Sequence, residues 1–242
     1  MKTKERQLMD NYTQEDFEVW RLLFERQKEN LKQKGAQAYM NALEEMSEVL
    51  NRSVLPDFRA INAYFNDQTA WQIEVVPGLI PVEDFFDLLA QKKFCSSTWL
   101  RSMNSLDYLE EPDMFHDIFG HIPLLSNEVF SAFAHEFGVI GKRFAGNQQA
   151  VVMLQRLYWF TIEFGVILEE QIKSYGAGIM SSFGETNRIA NRECTFLDFD
   201  IEQVLRKEFR TDVMQEEYFV IDSFEMLYNS LDEAVKIIEK QA

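Results

Sequence analysis

Three side chains with metal-ligating chemistry dominate this sequence. Only three histidines occur in 242 residues. Two of them, His116 and His121, fall in the stretch EPDMFHDIFGHIPLL (111–125), among carboxylates. Neutral imidazole ligates divalent transition metals, so two close histidines form part of a metal site. Their i,i+5 spacing puts them roughly 140° apart on an ideal α-helix. Both can face one ion only if the helix ends or distorts near Gly120, and Gly120 and Pro123 supply the means. Two neighbouring surface histidines are the plain alternative.

A third ligand is available in Glu163, the only charged residue in the run LYWFTIEFGVIL (157–168). A helix that is apolar on nearly all sides is buried. A carboxylate inside one costs several kcal/mol unless it is paired or bound to a metal. The run holds no basic partner, although an ion pair with a distant arginine would also satisfy it. Two histidines and one carboxylate on one face of an ion leave positions open, as in non-haem Fe(II) oxygenases. Hydrolytic zinc uses the same ligand set, so the set alone does not fix the chemistry. Arg101, among Trp99, Leu100 and Met103, is either a structural partner of Asp113 or a fork for a substrate carboxylate. His135, between Phe133 and Phe137, reads as a packing or surface histidine. The sequence contains no P-loop, Gly-x-Ser-x-Gly elbow or CxxC pair.

The elements that must position these groups are mostly helical. Thr13 with Asp16 reads as a helix N-terminal box, leading into Trp20, Leu23, Phe24 and Leu31. Helical periodicity recurs from Gln37, around Phe58–Phe65, over Val82–Leu89, from Phe130 to Ile140, and near the end through Leu227, Leu231, Val235 and Ile238. That last helix, capped by Asp222 or Ser223, is too short for a coiled-coil tail. The region 149–172 reads as one long buried helix, broken at Tyr175-Gly176-Ala177-Gly178. Strand signals are few: Trp71, Ile73 and Val75 alternate, 94–100 is extended, and Tyr218–Ile221 is a short apolar run. The expectation is a mainly α, single compact domain over 1–242 with a few short strands. Residues 1–12 are expected to be a loose N-terminal segment.

Composition agrees. Hydrophobic residues make up 46% of the chain and aromatics 14%, with 21 Phe, a globular profile with an aromatic core. The formal charge is −16, which argues against nucleic acid or an anionic membrane as partner. Two cysteines make no disulfide framework, and no apolar run approaches 18 residues. A cytoplasmic protein is expected.

Taken together, EPDMFHDIFGHIPLL (111–125), LYWFTIEFG (157–165) and YGAGIMSSFGE (175–185) resemble the aromatic amino acid hydroxylases, most closely their short bacterial phenylalanine-hydroxylating members. The motifs stand in the family's order, and looser similarity covers roughly nine tenths of the chain. The resemblance implies an iron- and tetrahydropterin-dependent monooxygenase that uses O2 to convert L-phenylalanine to L-tyrosine. It implies Fe(II) on His116, His121 and Glu163. It implies a pterin held by the Gly78-Leu79-Ile80 backbone, against Phe85 and near Tyr158 and Asp117. The amino acid would place its carboxylate on Arg101, steadied by Asp113, with Gly178 and Ser181 nearby. Its ring would lie between Pro112, His116, Trp159 and Phe164. Leu109 and Val82 depart from the Thr and Ser of animal members. The resemblance also implies a monomer supplied by pterin-recycling enzymes, without the animal enzymes' regulatory domain or allosteric control. Tryptophan and tyrosine hydroxylases share these motifs, although Trp159 leans towards phenylalanine. A zinc hydrolase with the same ligands and an inactive binding member are the rivals from other classes.

Overall fold

The computed structural model describes residues 6–107, 109 and 111–241. Helices form wherever the apolar period is 3.6. α1 (Gln14–Leu31) starts at the expected box, with the Thr13 hydroxyl accepting from the Asp16 N–H and the Asp16 carboxylate accepting from Thr13. α2 (Gln37–Glu45) and α3 (Phe58–Asn66) follow, then β1 (Gln72–Val75), α4 (Val82–Ala90) and β2 (Lys93–Ser96). The long helices α5 (Glu128–Phe144) and α6 (Gln148–Tyr158) are each capped by an asparagine side chain, Asn127 and Asn147. The remainder comprises β3 (Val166–Leu168), β4 (Ile172–Ser174), α7 (Ala177–Met180), α8 (Phe183–Ala190), β5 (Thr195–Asp198), α9 (Ile201–Arg206), β6 (Glu217–Ile221) and α10 (Phe224–Gln241). The Ser223 hydroxyl accepts from the Met226 N–H at the start of α10. The mainly helical expectation holds.

Strands are minor and form two sheets. β1 and β2 pair in parallel with Gln72 opposite Lys93. The second sheet has the order β4-β3-β6-β5, with β3 and β4 antiparallel and the other pairs parallel. One apolar cluster runs from Val19 on α1 to Ile238 on α10, filled by rings such as Trp20, Tyr39, Phe119, Phe133 and Phe137. A smaller cluster of Val166, Ile179, Ile189 and Tyr218 lies around the second sheet.

Two expectations fail. The long helix over 149–172 does not exist. α6 ends at Tyr158, a π-helical turn spans Trp159–Glu163, and Val166–Leu168 is a strand. An apolar run buried on all sides suits a core strand as well as a helix, and periodicity alone does not separate the two. The break comes at Gly165, ten residues before the expected one. The N-terminal segment is also tied down where it is described. Gln7 donates to the Pro56 carbonyl and accepts from the Phe58 N–H at the start of α3. Met9–Asn11 forms a 3₁₀ turn. Residues 1–5 of that segment lie outside the described residues.

The feature that shapes the site is a pair of π-helical turns, His116–His121 and Trp159–Glu163. In the second, the Phe164 N–H donates to the Trp159 carbonyl five residues back. α7 is wedged between them. A Cβ on Gly120 would come within 2.8 Å of the Ala177 carbonyl oxygen. A Cβ on Gly176 would meet the Gly165 nitrogen at 2.3 Å and the Glu163 carbonyl oxygen at 2.4 Å. Only hydrogen at these positions lets three backbones approach so closely. Gly120→Ala should therefore destabilise the protein by about 1–3 kcal/mol through overpacking and loosen metal binding with it. Thermal unfolding and metal titration check this, and an unchanged midpoint and affinity would contradict the wedge.

Candidate active site

The first π-helical turn resolves the i,i+5 problem. In a helix with i→i+5 hydrogen bonds, the fifth residue sits roughly one turn above the first. His116 and His121 therefore share a face, with ring centroids 4.9 Å apart and their Nε2 atoms 3.2 Å apart. The expected distortion near Gly120 is present, as a π-helical turn that runs from His116 to His121. The buried Tyr39 hydroxyl donates to the Phe119 carbonyl within this turn. Pro123 opens the 3₁₀ turn that follows.

The second turn brings Glu163 to the same point. Its Oε1 lies 3.2 Å from His121 Nε2, and its Oε2 lies 3.6 Å from His116 Nε2. Ligands in adjacent positions around an octahedral ion at about 2.1 Å are about 3 Å apart, so the three donors fit one ion. Among the described residues, these three form the cluster of metal-ligating side chains that could do so. The chemistry of the donors fits as well. Ser181 Oγ donates to the Ala177 carbonyl at 2.8 Å and lies 2.9 Å from His116 Nδ1. The serine must then accept from Nδ1–H, which leaves the Nε2 lone pair of His116 facing the site. Burial pushes the His116 imidazole down to about 4, against the pull of Glu163, so it is neutral near pH 7. Glu163 stays ionised: burial opposes its charge, but the adjacent histidines outweigh burial.

A cavity of about 350 Å³ opens beside this cluster. Of the residues expected at the site, it is lined by His116, His121, Glu163, Pro112, Asp117, Tyr158, Trp159, Phe85, Gly78, Leu79 and Ile80. The Leu79 side chain is 76% exposed. Phe85 and Tyr158 meet edge to face at 5.2 Å. Asp117 accepts from the Ser97 backbone N–H at 2.9 Å, yet burial still pushes its carboxyl up to about 7.

Five expected residues stand outside the cavity wall. Arg101 forms a two-pronged pair with Asp113, Nε to Oδ2 and Nη2 to Oδ1, each 2.9 Å, and donates from Nη1 to the Leu106 carbonyl. Asp113 is fully buried and also accepts from the Arg101 and His116 backbone N–H groups. Burial would raise its carboxyl, but the Arg101 guanidinium holds it below the ordinary value. The structural partnership of Arg101 is thus present, and two of its five guanidinium N–H groups remain for a ligand. Phe164 packs on Trp159, with centroids 4.5 Å apart. Ser181 orients His116. Gly178 makes room for Phe164 and the Glu163 carbonyl, which a Cβ would approach to 2.9 and 3.1 Å. His135 faces the Ala90 carbonyl at 3.2 Å on α5, away from the cluster, as expected of a packing histidine.

Sequence reasoning missed several wall residues. Phe94 packs its ring 4.4 Å from His121, and Cys95 and Ser97 follow it off β2. Burial pushes the Cys95 thiol up to about 12, so it remains protonated. Phe209 lies 4.5 Å from Trp159 and nearly parallel to it. Its signal was a lone aromatic in the charged segment KEFRTD (207–212).

With this geometry in place, comparison with known proteins is specific. The family description of the biopterin-dependent aromatic amino acid hydroxylases matches residues 2–242. A phenylalanine-4-hydroxylase of Ralstonia nicotianae is 40% identical over 226 residues, 93% of this chain and 71% of its own. One from Vibrio cholerae is 40% identical over 238 residues, 96% of this chain and 80% of its own. The structure of Chromobacterium violaceum phenylalanine hydroxylase with iron(III) and 7,8-dihydrobiopterin superposes with a TM-score of 0.92 at 38% identity. It covers 98% of this chain and 85% of that one. The chain belongs to the biopterin-dependent aromatic amino acid hydroxylases.

Two substitutions test the cluster. Glu163→Gln keeps the shape of the side chain and removes its charge, so iron occupancy should fall at least about tenfold with the fold retained. Ser181→Ala should lower metal affinity roughly 10–100-fold through loss of an orienting partner. Metal titration followed by circular dichroism checks both. Full iron stoichiometry in the Glu163 variant would remove it from the ligand set.

Proposed function

We propose that this chain is an iron- and tetrahydropterin-dependent monooxygenase that hydroxylates L-phenylalanine to L-tyrosine with O2. One catalytic domain over residues 1–242 carries this activity. The observation that carries the reading is the convergence of the His116, His121 and Glu163 donor atoms on an aromatic-walled cavity, in a chain of this family. When bound, Fe(II) and tetrahydropterin together activate O2 and supply the electrophilic oxygen inserted into the ring.

The protein's own part is placement. His116, His121 and Glu163 would hold the metal, a ligand set that leaves room for further ligands. The Gly78-Leu79-Ile80 backbone takes the polar edge of the pterin. Phe85 would take its flat face, with Tyr158 and Asp117 within reach of it. Arg101 holds the amino-acid carboxylate with the donors that Asp113 and Leu106 leave free, and Asp113 keeps the fork rigid. Trp159, supported by Phe164, stacks on the substrate ring beside Pro112 and His116. The apolar wall excludes water from the reacting centre. The enzyme is read as a cytoplasmic monomer that draws on pterin-recycling enzymes. Its two cysteines are unpaired, as suits a reducing compartment. The apolar face of α10 is already covered by the core, leaving no helix face for a coiled coil. None of the described helices is long and apolar enough to cross a membrane.

Supplying Fe(II), tetrahydropterin, O2 and each aromatic amino acid in turn should give hydroxylated product, with phenylalanine preferred. No product with any of the three would overturn the reading, and zinc-dependent turnover without O2 uptake would favour a hydrolase. Arg101→Ala should raise the phenylalanine KM at least about tenfold, since a charged hydrogen bond contributes roughly 1.5–3 kcal/mol. An unchanged KM would leave Arg101 as a structural partner of Asp113 alone.

A further inference from the structure

The connector 207–216, between α9 and β6, lines the cavity with Phe209 and reaches Trp159 a second time through Gln215. Gln215 is buried, and its side-chain oxygen accepts the Trp159 indole N–H at 3.0 Å. Its amide nitrogen donates to the Arg210 carbonyl at 2.9 Å and to the Val213 carbonyl at 3.3 Å. Those two acceptors fix which end of the amide faces the indole. The Gln215 backbone N–H donates to Glu185 Oε1 at 3.0 Å, and the other oxygen of that carboxylate accepts the Tyr218 hydroxyl. The residue that grips the indole is therefore anchored to α8 and β6. Gln215 itself is not part of the cavity wall.

Around the indole, the contacts divide by what they restrain. Phe209 lies nearly parallel to Trp159, at 4.5 Å and 16°, and Phe164 packs at 4.5 Å and 39°. Stacking confines the plane of a ring but resists sliding or rotation within that plane only weakly. A 180° turn about the final torsion of an aromatic side chain, which is broad and roughly two-fold, also keeps the ring plane while exchanging the edges of the indole. One directional hydrogen bond supplies the missing restraint.

We infer that Gln215 is a positioning residue for the hydroxylation. It locks the in-plane orientation of Trp159, and so the surface that the cavity offers to a substrate benzene ring. This rests on the reading of Trp159 as the substrate-ring wall. Gln215 meets the indole directly through its oxygen, while its amide nitrogen holds the connector that carries Phe209.

Steady-state kinetics of the iron-loaded enzyme tests this. Gln215→Leu should raise the phenylalanine KM by up to roughly tenfold, the full worth of one hydrogen bond if the substrate-bound state alone needs the indole held. The tetrahydropterin KM and the iron stoichiometry should not change. In a Trp159→Phe background, which has no indole N–H, Gln215→Leu should add less than about twofold, within ordinary additivity. An unchanged phenylalanine KM in Gln215→Leu, with a raised one in Trp159→Phe, would overturn the inference and leave the role of Trp159 standing. Equal effects of Gln215→Leu in both backgrounds would also overturn it. A Trp159→Phe enzyme with unaltered phenylalanine KM would remove the reading beneath it.

Discussion

Everything at this site depends on two helical turns being wound one residue too wide. In an α-helix His116 and His121 would point roughly 140° apart. The π-helical turn stacks them instead. The same widening recurs in Trp159–Glu163, where it sets Trp159 on Phe164 and carries Glu163 to the histidines. π-Helical turns are rare because their hydrogen bonding is poorer, and they concentrate at functional sites. Here outside groups support the first of them: the Tyr39 hydroxyl on the Phe119 carbonyl and the Asp113 carboxylate on the His116 N–H.

The two turns start 43 residues apart in the chain (159 − 116), and small residues hold them together. α7 enters between them only because Gly120 and Gly176 present no side chain. From the same wedge, Ser181 reaches Nδ1 of His116 and fixes its tautomer. The Arg101–Asp113 pair closes the other side. One buried carboxylate joins the guanidinium proposed to meet the substrate to the backbone N–H of His116, a candidate metal ligand. The proposed metal and substrate sites are thus mechanically joined.

Much of this was legible in the sequence, and for identifiable reasons. His116, His121 and Glu163 stood out because charged or ligating residues in apolar surroundings need a partner. The helices with caps and clear periodicity, α1, α5 and α10 among them, lie where the pattern puts them. The run LYWFTIEFGVIL misled because it is apolar on nearly every side. With no polar face there is no period to read, and one apolar stretch became helix, π-turn and strand. Ser181 and Gly178 came only from the family resemblance, and the structure gives them physical tasks beside the ligands. Phe94, Cys95, Ser97 and Phe209 reach the cavity through tertiary placement, which local spacing does not encode. Gln215 was silent for the same reason: its partner, Trp159, lies 56 residues away.

The central claim is that a π-turn histidine pair and Glu163 bind a single iron. X-ray absorption at the iron edge of the Fe(II)-loaded protein reads this directly. The account predicts two imidazoles per iron, with the remaining light-atom ligands at about 2.1 Å. One imidazole or none would contradict it.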